Sequence, residues 1–388
     1  MWPKQNTAFV VIHGIGTHRP FETIDPFVRG FWNVLKDQNP GLKVNWQHKF
    51  QRHTDWVENY VSLAPDGMPT LDFYEYYWDC YMVREVTIDE VLKWVDETSV
   101  GARRFYQELE GDKYKYPGGK AREYQEAKID LFKDGEFEFF GYRRILVAAL
   151  SQVRLLSVLG PLLGLIPRVG PVIKPIAHLI SKPIIGLLGD LVIYTTSDVR
   201  SRNYEIRQKI LSGAVEEIKL LLNNDYYQQI IAVGHSLGSV IAYDALNRII
   251  QDMSSKGGIS PDLASRIAGL VTFGSPLDKI AFFFREHTPD ENYVQRQILS
   301  HFHAYKAVKL PGDTGPIPLD DPVRQDLDKS VWLNFYHRKD LVSGHLDAYK
   351  IDPDKNIECK EDVGIYGAHS HYWKSDEMYR RIAGQFFQ

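Results

Sequence analysis

A chain of 388 residues exceeds the size at which a single hydrophobic core stops growing, so a core carrying a sizeable insertion, or two domains, is expected. A formal net charge of -4, with 25% charged and 44% hydrophobic residues, gives no electrostatic case for nucleic acid as a partner. Two cysteines, Cys80 and Cys359, exclude a disulfide framework in a chain this long, and without any CxxC spacing they fit a reducing compartment.

Met1 to Asn6 runs directly into T-A-F-V-V-I, Thr7 to Ile12, which leaves no room for a cleavable leader and sets the expectation of a cytoplasmic protein. That run has the composition of a strand buried on both faces, and His13-Gly14-Ile15-Gly16 stops it in a tight loop. Helical spacing follows over Pro26 to Lys36. Leu42 to Trp46 alternates apolar and polar residues as a strand does, and Leu71 to Trp78 is an aromatic-rich strand bounded upstream by Pro65, Gly67 and Pro69. Ile88 to Glu97 again has helical spacing.

The middle of the chain differs in kind from what flanks it. Gly111 to Phe140 is polar and charged around Pro117-Gly118-Gly119 and reads as an exposed part of an insertion. Ile145 to Ile193 is rich in Leu, Ile, Val, Gly and Pro. A membrane span needs about 18 apolar residues with few charges; here Arg154, Arg168, Lys174 and Lys182 interrupt and five prolines break the run, so no span is expected. Two readings stay open: short helices packed on the core, or an apolar cap that lines an acyl-binding pocket or rests in a membrane interface. Peripheral membrane contact through residues 145–193 and an oligomer interface there are equally open, and the oligomeric state is not legible.

Gln229 to Val233 is a short apolar strand that enters Gly234-His235-Ser236-Leu237-Gly238, and Leu237 to Ile250 continues at helical spacing. Ile267 to Phe273 and Val331 to Tyr336 repeat the buried-strand pattern. Strands alternating with helices point to an α/β architecture, a mostly parallel sheet with helices on both faces.

A serine hydroxyl is a weak nucleophile at neutral pH, so an acyl-transfer site needs a histidine to take its proton, an acid to orient that histidine and donors for the oxyanion. Strand, Gly-x-Ser-x-Gly and helix in succession make Ser236 the candidate nucleophile: small residues at Gly234 and Gly238 let strand and helix approach, and the serine occupies a strained turn. His13 and Gly14 begin a glycine loop at the end of the first strand. Alone, it reads as a turn beside a core histidine. Paired with the serine motif, it assigns the oxyanion hole to the amides of Ile15 and Leu237.

These residues resemble the α/β-hydrolase superfamily, in its lipase and esterase branch. FVVIHGIG resembles the strand and oxyanion loop, IIAVGHSLGSVIAYDAL the nucleophile elbow and its helix, and VTFGSPLDK the strand and turn that follow; WLNFYHRKDLVSG resembles the segment bearing the acid and AHSHYWKSDEM the one bearing the histidine. The resemblance implies an α/β-hydrolase core over residues 1–95 and 196–388, with a helical apolar insertion or cap at 96–195 and a reduced sheet, since the chain begins at the oxyanion strand. It implies Asp340 as the acid, with Asp278 as the alternative, and His369 of a His-x-x-Tyr-Trp pattern as the base, with His371 as the alternative. Tyr372 and Trp373 are expected to pack the histidine loop and His235 to be a packing residue, while His337 and His345 have no legible role. The order Ser, Asp, His is the one this fold uses. No cofactor is implied, and no metal, because the two nearby histidines lack a cysteine or carboxylate at zincin spacing. The expected activity is hydrolysis of carboxylic esters with lipid-like or long-chain acyl groups; the alternatives are a non-catalytic lipid-binding or scaffold protein on the same fold and a serine acyltransferase.

Overall fold

A computed structural model describes residues 2–82 apart from 17, 40–42 and 54–55, residues 202–277 apart from 254–257, and residues 329–387 apart from 341, 347–348 and 364, together with 132–133, 136–137, 194, 294, 305 and 327. In chain order the elements are β1 (Thr7–Ile12), α1 (Ile24–Gln38), β2 (Val44–His53), β3 (Trp56–Pro65), β4 (Leu71–Tyr76), the two-residue strands β5 (Phe132–Lys133) and β6 (Glu136–Phe137), α2 (Arg202–Leu222), β7 (Gln229–His235), α3 (Leu237–Met253), α4 (Pro261–Ala264), β8 (Ile267–Phe273), β9 (Val331–Tyr336), β10 (Asn356–Glu358), α5 (Ile365–His371) and α6 (Asp376–Phe386). Eight strands form one sheet in the order β10-β9-β8-β7-β1-β4-β3-β2, and β5 pairs with β6 separately. The sheet runs parallel from β10 to β4 and turns antiparallel at β3 and β2.

The apolar strands give the sheet two buried faces. Every residue of β1 is buried. Phe9 and Val11 join one core with Phe27 and Phe31 of α1 and Tyr379 and Ile382 of α6. Ala8, Val10 and Ile12 join the other, with Ile210 and Ala214 of α2 and Val240 and Ile241 of α3. A strand covered on both faces has no use for polar alternation, which is why β1 and β7 read as continuous apolar runs. The start of α1 is capped from the sheet: Thr23 makes no side-chain cap, and Glu75 Oε1 in β4 instead accepts from the amides of Thr23 at 3.0 Å and Ile24 at 3.3 Å.

Two expectations change. Of the strand expected over Leu42 to Trp46, Val44 to Trp46 begin a long hairpin, β2 with β3, which lies in sequence between β1 and β4 and fills the edge beyond β4. Among the described residues the sheet therefore has eight strands, not the smaller number expected. β3 escaped notice because its apolar residues fall on both faces: Val61 and Leu63 lie opposite Phe73 and Leu71, while Tyr60 stacks on Tyr74 at 4.5 Å, and the period-2 signal cancels. The helix expected at Ile88 to Glu97, the apolar segment 145–193 and nearly all of the 96–195 insertion lie outside the described residues. Near the end of that insertion, the Tyr194 hydroxyl donates to Asp244 Oδ2 on α3 at 2.8 Å. No described helix is long and apolar enough to cross a membrane.

Candidate active site

From β1 the chain builds β2, β3 and β4 on one side and resumes at β7 on the other, so β1 and β7 are neighbours whose carboxyl ends open at a topological switch point. That crevice is where open parallel sheets receive ligands. β1 delivers His13 and Gly14 there, and β7 delivers His235 and Ser236.

Ser236 sits between β7 and α3 with φ 52°, a left-handed conformation that costs a non-glycine residue roughly 1–3 kcal/mol and persists only where its surroundings impose it. The surroundings do. Its amide donates to the Phe273 carbonyl at 3.1 Å, and its carbonyl accepts from the Ser239 amide at 3.0 Å and from Ser239 Oγ, which also lies 2.7 Å from Ser275 Oγ. The flanking glycines are required by space. A Cβ at Gly234 would fall 2.3 Å from Ser239 Cα, and one at Gly238 would fall 2.2 Å from the Ile12 carbonyl oxygen and 2.4 Å from that of His13. At Gly14 it would lie 2.8 Å from Ser236 Cβ, so the loop after β1 rests directly on Ser236. Of the two amides assigned to the oxyanion, Ile15 follows Gly14 in chain and Leu237 follows Ser236 and opens α3, where an N–H has no acceptor within its helix.

His13 is a post behind this loop. Its Nε2 accepts from the amides of Trp78 at 3.1 Å and Asp79 at 3.4 Å, which puts the ring proton on Nδ1, 2.9 Å from the Gly14 carbonyl it donates to. The ring stacks on Trp78 at 4.7 Å, and Trp78 Nε1 donates to the His13 carbonyl at 2.9 Å. Burial, with the charge of His18 second, lowers its pKa to about 3, so it stays neutral.

The candidate acid and base come from the carboxyl edge of the sheet on the β9 side. Asp340 lies in the loop after β9 with its side chain wholly buried, and His369 lies in α5 with its side chain 29% exposed. His369 Nδ1 is 3.1 Å from Asp340 Oδ1 and 3.0 Å from Oδ2. The Tyr372 hydroxyl donates to Oδ2 at 2.8 Å and the Val342 amide to Oδ1 at 2.9 Å. Burial alone would raise the Asp340 carboxyl; the hydrogen bond and charge of His369, with the Val342 and Tyr372 donors, outweigh it and hold the group well below the usual carboxylate range. The loop is clamped by His337, whose Nδ1 accepts from the Lys339 amide at 3.0 Å and whose Nε2 donates to the Glu361 carbonyl at 2.9 Å. A carboxylate can only accept, so His369 carries its proton on Nδ1 and leaves the Nε2 lone pair available.

Asp340 and His369 are thus brought into direct contact. Ser236 Oγ is buried and makes no hydrogen bond with a described residue, His369 included. Bonds between nucleophile and base are often long before substrate arrives and tighten in the complex. His371 is partly exposed and does not bond Asp340, whose partners are His369, Tyr372 and Val342. Asp278 lies outside the described residues. Sequence reasoning missed three contributors. Tyr372 donates to the acid in addition to packing the loop, His235 Nε2 lies 3.0 Å from the His369 carbonyl, and His337 fixes the acid loop. The one available signal was Tyr372 three residues after His369, a spacing that places two helical side chains on the same side.

Among the described residues, no group of three or more His, Cys, Asp or Glu is arranged to hold a metal ion. The chain matches no family model, no curated protein and no solved structure.

Proposed function

We propose that the chain is a serine hydrolase on an α/β-hydrolase fold, cleaving carboxylic esters through an acyl-enzyme, with Ser236 as nucleophile, His369 as general base and Asp340 as the acid that orients it. The observation that carries this reading is the buried Asp340 carboxylate bonded to His369 Nδ1 at the same sheet edge as a serine in a left-handed elbow. With Nδ1–H engaged, His369 takes the serine proton at Nε2 while Oγ attacks the ester carbonyl. The amides of Ile15 and Leu237 receive the oxyanion. Collapse expels the alcohol, which regains its proton from His369; water, deprotonated by His369, then cleaves the acyl-enzyme to the free acid.

The assignment of lipid-like or long-chain acyl substrates rests on the apolar composition of residues 145–193. Placement in the cytoplasm is part of the same proposal, supported by an exposed free thiol at Cys80 and a buried one at Cys359. One observation favours a second reading, a non-catalytic lipid-binding protein: the Ser236 hydroxyl has no hydrogen-bond partner among the described residues. A series of p-nitrophenyl esters of increasing chain length separates the two. The hydrolase reading expects turnover that rises from acetate to longer acyl chains. No turnover at any length would contradict it, and a sharp preference for acetate would remove the long-chain assignment alone.

A further inference from the structure

His235 stands between the two halves of the site. Its Nε2 lies 3.0 Å from the His369 backbone carbonyl, which can only accept, so Nε2 carries the hydrogen and donates it. Burial first, then the charge of His369, lowers the ring's pKa to about 3, so it remains a neutral donor. Nδ1 faces the loop after β1, where a Cβ at Gly14 would lie 3.1 Å away. The ring packs on Phe273 at 5.2 Å, Trp373 at 5.0 Å and the His369 ring at 4.9 Å. Gly274, at φ 63°, leaves the space beneath: a Cβ there would meet His369 Cε1 at 3.1 Å and His235 Cδ2 at 3.3 Å.

We propose that His235 is a positioning residue, whose Nε2–H bond to the His369 carbonyl holds the base beside the elbow that carries Ser236. The inference rests on the triad proposed above. Through Asp340, His369 is referred to the loop after β9, a different strand from the one that carries the nucleophile. The His235 bond refers it to the elbow itself, because His235 and Ser236 are consecutive residues in a turn with no freedom to adjust. A misplacement near 1 Å costs a reaction of this kind about 100-fold, which gives a hydrogen bond with no part in the chemistry control over its rate.

Two substitutions separate the hydrogen bond from the ring. His235→Phe keeps the aromatic packing and loses the donor; His235→Gln keeps a donor near the Nε2 position and loses the ring. With a p-nitrophenyl ester that the wild type hydrolyses, the Phe variant should lose about 10- to 100-fold in kcat with KM within about twofold, and the Gln variant should recover most of that loss. A role in stability alone would reverse the ranking. Wild-type kcat in the Phe variant, or a Gln variant as slow as the Phe variant, overturns the proposal. Where the Phe variant fails to fold, His235→Ala takes its place, and equal rates for Ala and Gln overturn it in the same way. An inert wild type is a different outcome: it overturns the hydrolase reading, and this inference falls with it.

Discussion

Around Ser236 the chain is held by backbone constraints, whereas around His369 it is held by side-chain hydrogen bonds gathered from positions 235, 340 and 372. On the nucleophile side, Gly14, Gly234 and Gly238 leave no room for one extra carbon, and the left-handed turn at Ser236 is imposed by β7 and α3 in the core. On the base side the geometry depends on which atoms donate and accept: His369, Tyr372 and Val342 share the two oxygens of Asp340, and His337 pins its loop. The first kind of construction is rigid and intolerant. The second is adjustable, and there chemistry changes before stability does.

That contrast orders the expected effects. Asp340→Asn keeps the shape of the acid and removes its charge, so it acts on the adjustable side. His369 loses the partner that fixes its tautomer, and kcat should fall about 10³- to 10⁴-fold with the fold retained. Ester turnover and a thermal melt on the same sample check this, and a loss below about tenfold would remove Asp340 from the mechanism. Gly238→Ala acts on the rigid side, because its Cβ would fall 2.2 Å from the Ile12 carbonyl oxygen. Backbone on both sides cannot yield cheaply, so about 1–3 kcal/mol of stability or more should be lost, read from the urea midpoint. An unchanged midpoint would mean that α3 does not press on β1 as described.

A third effect is spread over pH and tests both sides together. His13 behind the oxyanion loop and His235 beside the base are each held neutral, with pKa lowered to about 3. The unfolded chain binds protons at these rings from about pH 6.5 downward, and the folded chain does not until about pH 3. Stability is therefore present in full above that window and falls as pH drops through it, by up to about 1.4 kcal/mol per pH unit for each ring. Urea midpoints from pH 7 to pH 4 should decline, and His13→Gln should soften the slope. A flat profile would show that the rings are not held neutral.

The same division explains what could be read in advance. The backbone-built half is contiguous: Gly234 to Gly238 and His13 to Gly16 carry their steric requirement in neighbouring letters, and β1, β7, β8 and β9 show as apolar runs because they are buried on both faces. Asp340 and His369, 29 residues apart, were placed only through a resemblance. The His235 bond to position 369 spans 134 residues and left no periodic trace. β10 has three residues, too few for any alternation to show, and β3 divides its apolar residues between two faces.

The most direct test of the triad is fluorophosphonate labelling of the purified chain, with mass mapping of the adduct, beside Ser236→Ala, Asp340→Ala and His369→Ala. The account predicts a single adduct on Ser236 in the wild type, none in the serine variant and much slower labelling in the other two, since only an activated hydroxyl reacts. A folded wild type that takes no label, or one labelled equally fast without His369, would contradict it.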